Sequence, residues 1–186
     1  MSNQSVKSCI YIESFDSKSK DLNVIIETPK GSRNKFAFDE KHNLFKLKKV
    51  LPAGANFPFD FGLIPSTLGE DGDPLDILVL MDEPAFVGCL VPSRLIGVIE
   101  AEQTKRNDAT MRNDRLISVA ANSITHRDVK SLKDVSENLI DEIEHFFISY
   151  NTIEGKEFKP LGRFGPDRAR ELIKEGVDRF DKKYRK

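Results

Sequence analysis

The sequence predicts an α+β fold, a β-rich body followed by two helices. Two observations carry that expectation. Up to about residue 120, short β-branched and aromatic runs alternate with Gly, Pro, Asn and Asp turns, the spacing of a sandwich or barrel. Later, Leu139, Ile143, Phe146, Phe147 and Tyr150 recur at helical spacing.

Each element follows in order. Residues 1–20 are polar and mixed and are expected to be loosely ordered, apart from Ile10-Tyr11-Ile12, which reads as a short strand or an edge contact. Val24-Ile25-Ile26-Glu27 is a β-branched strand that ends in a carboxylate, and Thr28-Pro29-Lys30-Gly31 turns the chain. Lys35–Phe38 and Leu44–Leu47 alternate about the turn at Lys41-His42-Asn43 and form a hairpin. The segment from Leu51 to Pro65, with its three prolines and two glycines, reads as irregular. Its Phe57, Phe59 and Phe61 call for burial, and a core role is favoured over a ligand platform. Ile77–Met81, Cys89–Val91, Leu95–Glu102 and Arg115–Val119 read as further strands, and residues 105–113 as a charged turn. Gly155 stops the first helix. Pro166 opens the second, which gathers Ala169, Leu172, Ile173, Val177 and Phe180 on one side.

A chain of 186 residues is long enough for one substantial core, so a single domain over 1–186 is expected. The formal net charge of -1 supplies no global basic field for nucleic acid. No stretch is long and apolar enough to span a bilayer, and the first dozen residues lack a signal-peptide pattern. Cys9 and Cys89 form no metal or redox spacing and read as reduced thiols of a cytoplasmic protein.

The chemistry concentrates in Glu70-Asp71-Gly72-Asp73-Pro74-Leu75-Asp76. Gly72 permits a tight turn, and Pro74 marks the start of a strand rather than its interior. Asp71, Asp73 and Asp76 can therefore converge at the mouth of a buried strand. Crowded carboxylates repel one another unless cations neutralise them, and hard divalent ions suit that purpose; a plain solvated turn is the competing reading. An EF-hand is excluded, because its loop needs glycine at position six and glutamate at position twelve, where this chain has Asp76 and Asp82. Glu27, Lys35, Lys48, Lys49, Arg115 and Tyr150 complete a set suited to a metal-neutralised phosphate chain. The chain lacks a GxxxxGK phosphate loop, which argues against a P-loop fold.

Asp71-Gly72-Asp73-Pro74-Leu75-Asp76, followed by Ile77-Leu78-Val79, resembles the signature of the soluble family I inorganic pyrophosphatases. The likeness extends to Ile26-Glu27-Thr28-Pro29, Asn34-Lys35-Phe36, the Phe57–Pro65 segment and His145-Phe146-Phe147. It implies a five-stranded closed β-barrel, OB-like, with extra strands and the two C-terminal helices packed outside. It also implies Mg²⁺-dependent hydrolysis of pyrophosphate to two orthophosphates, with several ions, Mn²⁺ as an alternative, and a homo-oligomer, hexamer or dimer. By position, Asp71 and Asp76 match metal ligands, and Asp73 matches both a ligand and the carboxylate that takes a proton from the attacking water. Glu27 matches a carboxylate of the metal and water network. Lys35 and Tyr150 match phosphate-binding residues. Lys49 stands at a family arginine, and Arg115 at a family lysine.

The chain departs from the family pattern at several positions. Ala37 replaces a glutamate, Phe57 and Phe61 replace tyrosines, and Asn151 replaces a lysine. Direct alignment puts Gln103 and Asn113 at two further metal-binding aspartates. A one-residue bulge in the intervening loop would instead bring in Glu102 and Asp114, and these two are the expected ligands. The departures leave open a relative that hydrolyses another phosphoanhydride, and one that binds metal and phosphate without turnover.

Overall fold

The computed structural model describes residues 8–104 and 109–185. Nine strands and two α-helices are described: β1 (Leu22–Thr28), β2 (Asn34–Asp39), β3 (Leu44–Val50), β4 (Asp60–Leu63), β5 (Asp76–Leu80), β6 (Leu90–Thr104), β7 (Thr110–Arg112), β8 (Arg115–Ala120), α1 (Glu137–Ile153), β9 (Glu157–Phe164) and α2 (Pro166–Tyr184). Five strands close a ring in the order β1-β4-β5-β8-β6, with β6 pairing back to β1. The expected five-stranded barrel is therefore present, with β7 and β9 added along β6 and with β2–β3 as a separate hairpin.

β6 closes the ring because it is long enough to serve four partners. Its first half pairs with β1, its middle with β8, and its second half with β7 and β9. β5 and β8 are the parallel pair, in the register Ile77↔Leu116, so Asp76 and Arg115 stand side by side one step earlier. That register builds the ion pair described below.

Alternate residues of these strands feed two apolar clusters. Ile77, Val79 and Leu116 pack with Ala169, Leu172 and Ile173 of α2. Leu78, Leu80, Ile117 and Val119 pack with Ile140, Ile143 and Phe147 of α1. α1 begins at Ser136, whose hydroxyl accepts from the Leu139 N–H at 3.4 Å, and Glu137 occupies the dipole-favoured first turn. α2 opens on Pro166, with Asp167 in its first turn and Lys182 and Lys183 in its last.

Gly176, in the interior of α2, weakens a helix on propensity alone. Its missing Cβ has a use, because one built there would stand 2.7 Å from Leu75 Cδ1. The helix thereby docks onto the loop that carries the aspartates, and the Leu68 N–H donates to Gly176 O at 3.0 Å.

Several details differ from the sequence expectations. Cys9–Tyr11 is a turn of 3₁₀ helix rather than a strand. Part of residues 1–20 falls outside the described set. In the remainder Ile10 is buried, and its carbonyl accepts from the Ser66 N–H at 2.7 Å. β4 lies inside the segment read as irregular: all four of its residues are buried, so it carries no alternation to read. β9 was not anticipated, because Pro160 and Gly162 interrupt its pattern; both are tolerated on a strand paired along one edge only.

Ile143 is 0% exposed and Leu44 is 65% exposed. Ile143→Ala is expected to lower the unfolding free energy by about 2–5 kcal/mol in a urea titration. Leu44→Ala should change it by no more than about 0.5 kcal/mol. Equal losses would remove Ile143 from the core.

Candidate active site

The acidic loop is held from within. The Ile64 N–H donates to Leu75 O at 3.0 Å, and the Gly69 N–H donates to Asp73 O at 2.8 Å. The Asp73 N–H donates to Asp71 Oδ1 at 3.1 Å, and the Leu75 N–H donates to Thr67 Oγ1 at 3.1 Å. These bonds present Asp71, Asp73 and Asp76 along one side of a cleft of about 870 Å³.

Glu27, Lys35, Lys49, Arg115 and Tyr150 line the same cleft, as do Gln103 and Asn113. Glu27 and Lys35 form a buried pair. Lys35 Nζ donates to Glu27 Oε2 at 3.3 Å, and the Phe38 N–H donates to Glu27 Oε1 at 2.7 Å. Burial pushes the Glu27 carboxyl up and the Lys35 ammonium down, each toward its neutral form, while their mutual attraction opposes both shifts. Lys35 also stands 3.8 Å over the ring of Phe61 and 5.6 Å over that of Phe57. The two phenylalanines are thus core residues and also the apolar floor beneath the Lys35 ammonium.

Arg115 is 4% exposed. Its Nη1 donates to Asp76 Oδ2 at 2.7 Å, to Asn113 Oδ1 at 2.5 Å and to Asp114 O at 3.0 Å. Its guanidinium lies over the rings of Phe147 and Phe158, at 4.7 and 5.3 Å. Among the described residues its Nε is buried without a hydrogen-bond partner.

Lys49 faces Lys35 across β2–β3, next to a bulge that carries Lys48, and its Nζ stands 3.7 Å over the ring of Tyr150. Glu154 pairs with it from the end of α1. Burial and the ammonium groups of Lys156 and Lys35 pull Lys49 down to about 8, against which the Glu154 carboxylate acts. Burial raises the Tyr150 phenol, with Asp76 adding to the shift, so the phenol stays protonated and able to donate.

Among the described residues, neither Glu102 nor Asp114, the two expected ligands, lines this cleft; Asp114 lines a smaller pocket beside Asp71 and Asp76. The β6–β7 pairing runs in step from Glu102↔Arg112 to Thr104↔Thr110, and no slip turns Glu102 inward. Gln103 therefore takes the inward position. Asp114 Oδ1 accepts from the Ala101 N–H at 2.9 Å and from Arg112 Nη2 at 2.8 Å, which holds it behind the cleft wall. In its place Asn113 Nδ2 donates to Gln103 Oε1 at 2.5 Å. Residues 105–108 of the intervening loop lie outside the described residues.

Among the described residues, no three His, Cys, Asp or Glu side chains form a ready-made metal cage. The donor set still fits a hard cation. Burial raises the carboxyl of Asp71, and Asp76 and Asp73 push it further, as expected of crowded carboxylates that a divalent ion would relieve. Asp71, Asp73 and Asp76 line the cleft together with the carboxamides of Gln103 and Asn113, and this set can hold such an ion.

The model for the inorganic pyrophosphatase family matches residues 24–181. The chain belongs to the inorganic pyrophosphatase family. An inorganic pyrophosphatase of Synechocystis sp. is 40% identical over 159 residues, 86% of this chain and 91% of that one. One of Nostoc sp. is 36% identical over the same shares. The crystal structure of the Thermus thermophilus inorganic pyrophosphatase superposes with a TM-score of 0.85 at 32% identity, covering 94% of this chain and 99% of that one. Membership in the inorganic pyrophosphatase family implies a divalent metal cofactor and pyrophosphate as substrate.

The sequence did not single out Glu154 or Lys156, which line the cleft of this pyrophosphatase-family chain beside Lys49. Both sit just past the stop of α1, and nothing local signals a contact that reaches back to β3. Phe158, under Arg115, escaped notice together with β9.

Because Lys49 titrates near 8, phosphate binding that depends on its charge is expected to weaken as pH rises through that value. In Lys49→Arg the cation persists, so the rise in KM above about pH 8 should flatten. Superimposable KM–pH profiles for the two proteins would separate Lys49 from the substrate.

Proposed function

We propose that this chain is a Mg²⁺-dependent inorganic pyrophosphatase that splits pyrophosphate into two orthophosphates. The observation that supports it best is the convergence of Asp71, Asp73 and Asp76 with Glu27, Lys35, Arg115 and Tyr150 on one cleft. Asp71, Asp73 and Asp76 hold the ions. When bound, the ions neutralise phosphate oxygens and lower the pKa of water, with Mn²⁺ as an alternative to Mg²⁺.

The remaining steps belong to the chain. Lys35, Lys49, Tyr150 and Arg115 bind non-bridging oxygens and set one phosphorus in line with water. Asp73, exposed on the loop and held by its backbone, takes a proton from that water as the new P–O bond forms. The bridging P–O bond breaks, and the departing phosphate leaves with its electron pair. Glu27, whose carboxyl burial pushes up, is a second proton-exchange group in the network. Family resemblance supports self-association, as a hexamer or dimer, and two cysteines without metal or redox spacing suit the cytoplasm.

A second reading has one observation in its favour. The wall opposite the acidic loop carries Gln103, Asn113 and the guanidinium of Arg115, which together supply no negative charge. A relative that binds metal and phosphate without turnover would have such a wall.

Phosphate release from pyrophosphate with Mg²⁺ separates the two readings. Turnover above a heat-killed control is expected, whereas tight pyrophosphate binding without release would select the second. Asp73→Asn, nearly the same size, should lose about a hundredfold to ten-thousandfold in rate. A near wild-type rate would remove Asp73 from its role. Under the first reading, Gln103→Glu with Asn113→Asp should lower the Mg²⁺ concentration for half activity, as the added charge strengthens ion binding. An unchanged activation curve would show that this wall takes no part in holding the ions.

A further inference from the structure

The mouth of the cleft holds an ion-pair group of which the proposed reaction uses only Lys49. α1 ends at Ile153, Glu154 caps it, and Gly155 takes φ 67°, a left-handed step natural to glycine. The Lys156 N–H donates back to Asn151 O at 3.0 Å, so the turn fixes Glu154 and Lys156 beside each other. Lys49 arrives from β3. The Glu154 carboxylate bridges the two ammonium groups, pairing with Lys49 through Oε1 and with Lys156 Nζ through Oε2 at 2.9 Å. The three side chains are 27%, 25% and 34% exposed for Lys49, Glu154 and Lys156, so the group is accessible to solvent and to an incoming anion.

A carboxylate spanning two ammonium groups makes the contacts that oxygens of a terminal phosphoryl group would make. We infer that Glu154 is an anion gate, an internal competitor that covers Lys49 and Lys156 until a more highly charged phosphate displaces it. The inference rests on the phosphate-binding reading of the cleft. A purely structural brace is the competing role, and other contacts already place both lysines. Lys49 is set by its pairing opposite Lys35 and by the ring of Tyr150, and Lys156 by its backbone bond. The gate discriminates by charge. Pyrophosphate, with more anionic oxygens, displaces the carboxylate more readily than orthophosphate does, which favours substrate entry and product departure.

The test uses the full chain with Mg²⁺ and inorganic phosphate as the calorimetric probe, so that no hydrolysis accompanies binding. Glu154→Gln keeps the size and removes the charge. It is expected to bind phosphate about twofold to fivefold more tightly than wild type, the scale of a partly exposed ion pair. The KM for pyrophosphate should fall as well, and the difference in phosphate binding should narrow at high salt. Unchanged or weaker phosphate binding in Glu154→Gln would overturn the gate, as would a failure of either protein to bind phosphate. Phosphate release by the wild type tests the hydrolytic reading separately, since the gate predicts tighter phosphate binding whether or not turnover occurs.

Discussion

A cation at the barrel mouth has to be compensated in place, and the architecture of the cleft follows from that. Arg115 is almost fully buried and brings a guanidinium charge into the barrel mouth. Leaving such a charge unpaired costs several kcal/mol, so every element around it contributes a partner. β5 brings Asp76, the strand entry supplies the Asn113 oxygen and the Asp114 carbonyl, and α1 and β9 supply the faces of Phe147 and Phe158. The parallel register of β5 and β8 makes this possible, because it sets Asp76 beside Arg115 without any loop in between.

The same logic repeats across the cleft. Glu27 compensates Lys35, Glu154 compensates Lys49, and aromatic rings lie beneath both ammonium groups. Each pair joins two different elements, so the closed ring, the hairpin and the end of α1 are brought into one electrostatic unit. Burial pushes Glu27 up and Lys35 and Lys49 down, each toward its neutral form, while the partner charges of Glu27 and Lys35 oppose the shift. The aspartates of the loop are the exception. Their mutual repulsion is offset in part by Arg115, by Lys35 and by the Asp73 N–H that Asp71 accepts, and a hard divalent ion would supply the rest.

The loop can bear that repulsion because it is anchored elsewhere. Backbone bonds within it fix Asp71 and Asp73, while Gly176 lets α2 approach Leu75 and accept from Leu68. Arg179 Nε adds a bond to Leu68 O at 2.8 Å. A glycine that reads as a weakness in the helix thus seats the helix on the base of the loop.

The sequence by itself determined the acidic loop, the positions of Glu27, Lys35, Arg115 and Tyr150, the two helices and most of the strands. These are legible because turn chemistry, apolar period and residue type are local properties. β4 and β9 were not legible, since one is buried on every residue and the other is broken by Pro160 and Gly162. Which residues face the cleft was a tertiary decision. A strand shows opposite faces at successive residues, so Glu102 or Gln103 could point inward, and only the pairing of β6 with β7 chooses Gln103. Asp114 is held behind the wall by the Ala101 N–H and Arg112, partners that pairing of the strands supplies. Glu154 meets Lys49 across 105 residues of chain, a contact that exists only once the hairpin and α1 share a wall.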